Sequence, residues 1–294
     1  MNQRPYIILN PAARGEKARP MLDIIESLEP KPVVRLTTAP GDAEAMAERA
    51  VEQGFDTIIA AGGDGTVNEV INGLAGSSAK FGLLPVGTMN VFATELGLPN
   101  SVAGSWEVIK AGHVRQVDLA KANDQYFVQL AGIGLDAQIV METEREFRKN
   151  FGPLSYLVTA SQVVTREAPK LMVELPDGRE LEGSFVLIGN GRYYGGKFVV
   201  FKEAKIDDGL LDVIIFGGVG HLDLVRYLQA FIFGDPATVP DVQVLQTPSL
   251  RVTSEEKVPV EVDGEVMGFV PVDICFSPTK LNVLAAPGAP IEGS

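Results

Sequence analysis

Along residues 1–118, short apolar runs alternate with stretches whose apolar positions recur at helical spacing. Residues 6–9 form an apolar run stopped by Asn10-Pro11. Met21, Ile24, Ile25 and Leu28 predict a helix over 17–28. Strands are predicted over 33–37, 57–61 and 81–84, and helices over 42–53, 66–74 and 101–111. Strands alternating with helices imply a mostly parallel sheet covered on both faces.

From Val117 onward the pattern changes. Strand-like segments at 126–131, 170–175, 184–189, 211–216, 249–253, 258–262 and 270–276 are separated by turn signals. Pro176-Asp177-Gly178 and Asp263-Gly264-Glu265 are the strongest of these turns. The pattern predicts a mainly antiparallel β-sandwich over 119–280, interrupted by helices at 155–167 and 221–233. An α/β domain occupies 1–118, and a segment near 281–290 is allowed to return to it. The Pro- and Gly-containing stretch after Ala285 reads as a frayed tail.

Length agrees with two domains, since 294 residues is about twice the common domain size. The formal net charge of −13 argues against a nucleic-acid partner and against strong docking on anionic lipid. Cys275 is the only cysteine, so no internal disulfide forms, and a reducing cytoplasmic setting fits. Its apolar neighbours predict a buried position. The N-terminus does not read as a signal peptide, and no run approaches the roughly 20 apolar residues that span a bilayer. His113 and His221 have no Cys or His partner at zinc spacing.

The most informative segment is TIIAAGGDGTVNEVINGL, residues 57–74. A β-branched strand runs into Gly62-Gly63-Asp64-Gly65 and then into a helix. Thr66 is the expected N-cap, and Glu69 would complete a capping box. Glycines let a polyanion approach backbone N–H groups, and the helix start adds partial positive charge. Asp64 fits beside a phosphate only if a divalent metal lies between them or if it orients the attacking group. A glycine-rich turn without chemistry is the alternative.

GGDGT followed by Asn68-Glu69 resembles the nucleotide-binding signature of the diacylglycerol, sphingosine and ceramide kinases. NAD kinases and phosphofructokinases share the shorter GGDG core. Further segments spread over the chain resemble the lipid branch: Asn10-Pro11 with Gly15, LTTAPGDA at 36–43, PVGTMNVFATELGLP at 85–99, NGRYYGGKF at 190–198, KIDDGLLD at 205–212, and Asp263-Gly264-Glu265. Two departures stand out. Arg14 lies where the family has glycine, and Val91 lies where it often has aspartate.

The resemblance implies an ATP- and Mg2+-dependent kinase that phosphorylates a lipid hydroxyl. In the family the nucleotide lies in a cleft between the α/β domain and a β-sandwich. Asn10, Pro11, Thr37, Gly62, Gly63, Asp64, Gly65, Thr66, Val67, Asn68 and Thr88 would hold the nucleotide. Asp64 would be the metal-linked carboxylate, and Glu265, with Asp263 beside it, the base for the hydroxyl. Lys205, Asp208 and Leu210 would hold a second, structural metal, the lysine and leucine through their carbonyls. The lipid partner would be met at or from the inner membrane surface by a cytoplasmic protein, and a homodimer is left open. The helix over 221–233, with Leu222, Val225, Leu228 and Ile232 at helical spacing, either borders that lipid or faces the core. Residues 191–196 read as a lid or a bulged strand end. The rival readings are an NAD kinase-like enzyme and a non-catalytic nucleotide- or lipid-binding protein.

Overall fold

A computed structural model of the chain describes residues 4–13, 18–142, 168–218, 220–233 and 235–286. The predicted helix over 155–167, the loop residues Arg14 and Gly15, and the tail beyond 286 lie outside the described residues. The chain divides into two compact units, one running to Leu119 and resuming at Ser277, the other spanning Ala120–Phe276.

The first unit contains β1 (Tyr6–Leu9), α1 (Ala18–Glu26), β2 (Val33–Leu36), α2 (Asp42–Glu52), β3 (Thr57–Gly62), α3 (Asp64–Leu74), β4 (Lys80–Pro85), α4 (Val91–Glu95), α5 (Val102–Ala111) and β5 (Val114–Val117). A strand near the end of the chain, Leu281–Leu284, completes it and is β20 when the second unit is counted. The sheet order is β2-β1-β3-β4-β20-β5. All neighbours are parallel except β20 and β5. The central strands β3 and β4 are buried almost throughout, as a sheet covered on both faces requires. Ile7, Leu9, Ile59, Ala61 and Leu84 pack on one face against Ile25 of α1 and Trp106 and Ile109 of α5. On α2, Ala43, Ala47 and Ala50 are buried, and small residues let α3 lie close. A Cβ on Gly73 of α3 would overlap the Glu44 carbonyl, so that helix crossing depends on glycine.

The second unit contains β6 (Ala120–Ala122), β7 (Gln125–Phe127), β8 (Leu130–Ile133), α6 (Leu135–Glu142), β9 (Leu171–Glu174), β10 (Glu180–Gly183), β11 (Phe185–Gly189), β12 (Tyr193–Tyr194), β13 (Phe198–Val199), β14 (Leu211–Phe216), α7 (His221–Phe233), β15 (Val242–Thr247), β16 (Ser249–Thr253), β17 (Pro259–Val262), β18 (Glu265–Phe269) and β19 (Val272–Phe276). Two six-stranded sheets form, β10-β9-β16-β19-β6-β7 and β15-β14-β11-β8-β17-β18. Alternate residues of both, such as Val173, Val252 and Ile274 from one and Ile133, Ile188, Val213 and Val260 from the other, make the sandwich core. The strand predicted over 126–131 is in fact two. β7 belongs to one sheet and β8 to the other, with the switch at Val128-Gln129.

The outer face of the β14–β11 region is also buried. Phe185 and Phe216 stack with centroids 4.0 Å apart, and Tyr227 of α7 leans on both. The Tyr227 hydroxyl donates to Asp241 at 2.6 Å. Burial, first, and that bond push its phenol up to about 12. The helix over 221–233 thus faces the core through Leu224, Tyr227 and Ala230. Leu222 and Val225 stay outside, 85% and 53% exposed.

Cys275 is exposed, not buried. Alternation along β19 sends Val272 and Ile274 inward and Asp273 and Cys275 outward, so an apolar neighbourhood in sequence did not mean a buried side chain.

Candidate active site

The carboxyl ends of β1 to β4 gather the predicted nucleotide residues, where parallel sheets bind ligands. Asn10 ends β1, and its backbone N–H donates to the Ala61 carbonyl at 2.9 Å. Its side-chain Nδ2 donates to Thr66 Oγ1 at 3.0 Å, and its Oδ1 accepts the Ala12 N–H, which fixes the chain around the partly buried Pro11. Thr37 ends β2 and is tied to Leu9 by its N–H. The following Gly41-Asp42 pair closes a local turn. Asp42 Oδ2 accepts the N–H groups of Thr38 and Ala39 and the Thr38 hydroxyl, and these bonds hold its carboxyl below the ordinary value.

The glycine segment folds differently from the capping-box expectation. Gly63 is the N-cap, in extended backbone without a side-chain cap, and α3 starts at Asp64. Thr66 therefore lies inside the first turn, where its hydroxyl serves Asn10. Glu69 reaches across to α2 and accepts the Ala43 N–H at 3.0 Å. The earlier start points the N–H groups ahead of Val67 out of the helix end; the Val67 N–H itself bonds to the Gly63 carbonyl at 3.1 Å. Val67 and Asn68 are buried, and Asn68 accepts from the Asn72 amide. They lie behind the partly open turn that Gly63, Asp64 and Gly65 form.

Gly63 and Gly87 touch backbone to backbone. The Gly62 carbonyl accepts the N–H groups of Val86 and Gly87, at 3.2 and 3.0 Å. A Cβ on Gly87 would overlap Gly63 Cα and come 2.9 Å from Asn90 Oδ1. Gly87→Ala is expected to cost about 1–3 kcal/mol and to raise the KM for ATP, because the contact it breaks is main chain that cannot rotate away. A thermal melt with an ATP titration checks both; unchanged values in each would show that the contact can yield.

Beyond Gly87, exposed Thr88 leads to buried Asn90, which adopts the left-handed conformation and starts α4. The turn aims the Val91 N–H at Asp64, whose Oδ1 accepts it at 2.7 Å. Val91 brings no side-chain carboxylate to this place; its main-chain N–H orients Asp64.

The second unit places Glu265 at the head of β18, with its side chain exposed. The turn before it is a two-residue hairpin loop with positive φ at both positions, 48° at Asp263 and 86° at Gly264, which suits Asp-Gly. Asp263 is an anchor for that turn. Its carboxylate accepts the N–H groups of Val128, Gln129 and Leu130, at 3.0, 3.0 and 3.1 Å. It thereby pins the β7-to-β8 switch to the hairpin. Three main-chain donors thus occupy the Asp263 carboxylate, while Glu265 presents its carboxylate at the exposed side of the same turn.

Lys205 and Asp208 are exposed and Leu210 is partly buried; Asp208 Oδ1 accepts the Leu210 N–H at 3.0 Å. Behind them lies Asp212, buried, with Oδ1 on the Gln246 amide and Oδ2 without a donor. Burial pushes its carboxyl up to about 6; the charges of Asp208 and Glu203 add to this, and the Gln246 bond offsets part. Among the described residues no three His, Cys, Asp or Glu side chains are close enough to hold a metal on their own. An orphaned carboxylate oxygen amid acidic neighbours nevertheless fits a hard cation, provided that main-chain carbonyls complete the shell.

Residues 4–122 match the family model of the diacylglycerol kinase catalytic domain, and residues 129–285 match the YegS C-terminal NAD kinase beta sandwich-like domain. The chain is 32% identical to proteins named diacylglycerol kinase from Staphylococcus aureus strains bovine RF122 / ET3-1 and MRSA252, over 97% of this chain and 93% of each of theirs. The chain belongs to the diacylglycerol kinase family. A crystal structure titled a diacylglycerol kinase from Bacillus anthracis str. Sterne is similar with a TM-score of 0.79 at 28% identity, covering 98% of this chain and 99% of that one. The family membership makes this a kinase-type phosphotransferase with an alcohol group as acceptor, built from the α/β and β-sandwich units described above. Two features escaped the sequence reading. Gln129, buried beside the Asp263 turn, has both amide atoms without a hydrogen-bond partner among the described residues, and Asp136 and Glu261 form a buried carboxyl pair. Glu261 stands two residues before Asp263, on the face of β17 opposite the core residues Val260 and Val262, so alternation alone reads it as solvent-facing.

Proposed function

We propose that the protein transfers the γ-phosphoryl group of ATP to the hydroxyl of a diacylglycerol-like lipid, with Mg2+ as cofactor. The observation that supports this most is Asp64, held by the Val91 N–H at the glycine-built end of β3, in a chain similar throughout to named diacylglycerol kinases. Backbone N–H groups at the start of α3 receive the phosphates. Asp64 would hold the Mg2+ that neutralises phosphate charge, and in the second unit Asp208 with the Lys205 and Leu210 carbonyls would hold a second, structural metal. Glu265 takes the proton from the lipid hydroxyl. The test is transfer of γ-labelled phosphate to dioleoylglycerol in phosphatidylglycerol vesicles, with NAD as a parallel acceptor. Label in the organic phase is expected. Label only in NADP would move the chain to soluble-substrate chemistry, and ATP binding without transfer would leave a binding role.

No helix among the described residues is long and apolar enough to cross a membrane. The lipid is met from the cytoplasmic side, with Leu222 and Val225 of α7 as the apolar contact. Tyr227 is unsuited as a probe, since it faces the core. Leu222→Trp fluorescence is expected to shift to the blue when vesicles are added; a spectrum indifferent to vesicles would remove α7 from the lipid-facing surface.

A further inference from the structure

Behind the Asp263-Gly264 turn lie two carboxyl groups that phosphoryl transfer leaves unused. Glu261 of β17 is 1% exposed and Asp136 of α6 is 6% exposed. Glu261 Oε2 accepts the Gly264 N–H at 2.7 Å, which ties it to the turn from inside. Asp136 Oδ1 accepts the hydroxyl of Tyr194 from β12. The remaining oxygens, Asp136 Oδ2 and Glu261 Oε1, are buried without a donor among the described residues. Both converge over Gly132 of β8, where a Cβ would overlap the first and lie 2.8 Å from the second. Glycine at 132 is what allows the two groups to meet. Two ionised carboxylates so placed repel strongly, whereas one proton between them makes a hydrogen bond.

We propose that Asp136 and Glu261 share a single proton, and that in this form they are positioning residues that hold the Asp263-Gly264 turn and hence the orientation of Glu265. The inference rests on Glu265 acting as the base. Burial, above all, pushes both carboxyls above their ordinary values; the charge of Asp136 pushes Glu261 further, and the Gly264 N–H opposes. The groups facing the pair are Tyr194 from β12, Asp263 from the turn, and the bare backbone of Gly132 from β8. Losing the proton would set two charges against each other next to Asp263 and push Glu261 off the Gly264 N–H.

The sign of the pH effect follows. Glu261 keeps its proton in the folded chain at pH values where the unfolded chain, at an ordinary 4.5, has released it. Its contribution to stability is complete below that ordinary value and is lost as pH rises through the raised one. Melting curves between about pH 6 and 9 should therefore show the wild type losing Tm relative to Glu261→Gln, whose amide accepts from Gly264 and donates to Asp136 without titrating. In the kinase assay, Glu261→Ala and Gly132→Ala are expected to lower kcat about tenfold to a hundredfold with the KM for ATP unchanged. Glu261→Gln recovers most of the loss and keeps its kcat at alkaline pH, where the wild type declines. Parallel melting curves for wild type and Glu261→Gln would overturn the shared proton. An unchanged kcat in Glu261→Ala would overturn the positioning role. If wild type transfers no phosphate to lipid, the proposed function fails, while the melting curves still decide the shared proton.

Discussion

Glu265→Gln is expected to lower kcat by about 10²–10⁴-fold, the usual contribution of a positioned general base. The side chain is exposed at the head of β18. The thermal midpoint should stay with the wild type, because surface changes of this kind are typically within about 0.5 kcal/mol. The KM for ATP should also hold. Asp263→Asn gives the opposite pattern. It weakens a carboxylate that receives three backbone N–H bonds, so it lowers the melting temperature first and activity as a consequence. Rate and stability measured on both variants distinguish the base from its anchor. A Glu265→Gln enzyme within a few-fold of wild type would remove Glu265 from the chemistry.

Asp64→Asn is the second large effect. An asparagine can present its carbonyl oxygen to the Val91 N–H and so keep the link between the ends of β3 and β4. It cannot supply the negative charge with which Asp64 would bind a divalent cation beside the phosphates. Activity should drop about a hundredfold, in the range seen when groups that order or bind a catalytic metal are altered. The melting temperature should stay close to wild type. A parallel loss of melting temperature would mean that the carboxylate matters for α4 and not for transfer; the Mg2+ dependence of the residual rate separates the cases.

The alternation of strand and helix in the first unit was legible because β3 and β4 are apolar throughout and the flanking helices carry clear stripes. What misled was the point where α3 begins. Thr66 and Glu69 have the spacing of a capping box, but Gly63 can take the extended conformation that starts the helix earlier, and each side chain found a partner on another segment. The split between β7 and β8 was hidden for a related reason. The run over 126–131 is unbroken by Gly or Pro, and the sheet change is enforced from Asp263, more than a hundred residues away. Asp263 was singled out because of its neighbour Glu265, and its hold on the backbone of 128–130 was not visible from that pairing. The pairing of Asp136 with Glu261 depends on a glycine between them in space, which no local pattern displays.

The position of β20 bears on how the chain can be made. Leu281–Leu284 lies between β4 and β5, so the sheet that holds Asp64 cannot be finished until nearly the whole chain has been synthesised. Until then β4 presents a bare edge of unpaired backbone groups, the kind of edge that recruits other strands. During translation the sandwich, continuous in sequence, can complete itself first, and the nucleotide unit waits for its last strand. Cutting the gene after the α/β segment would therefore yield an aggregation-prone fragment instead of a minimal nucleotide-binding domain.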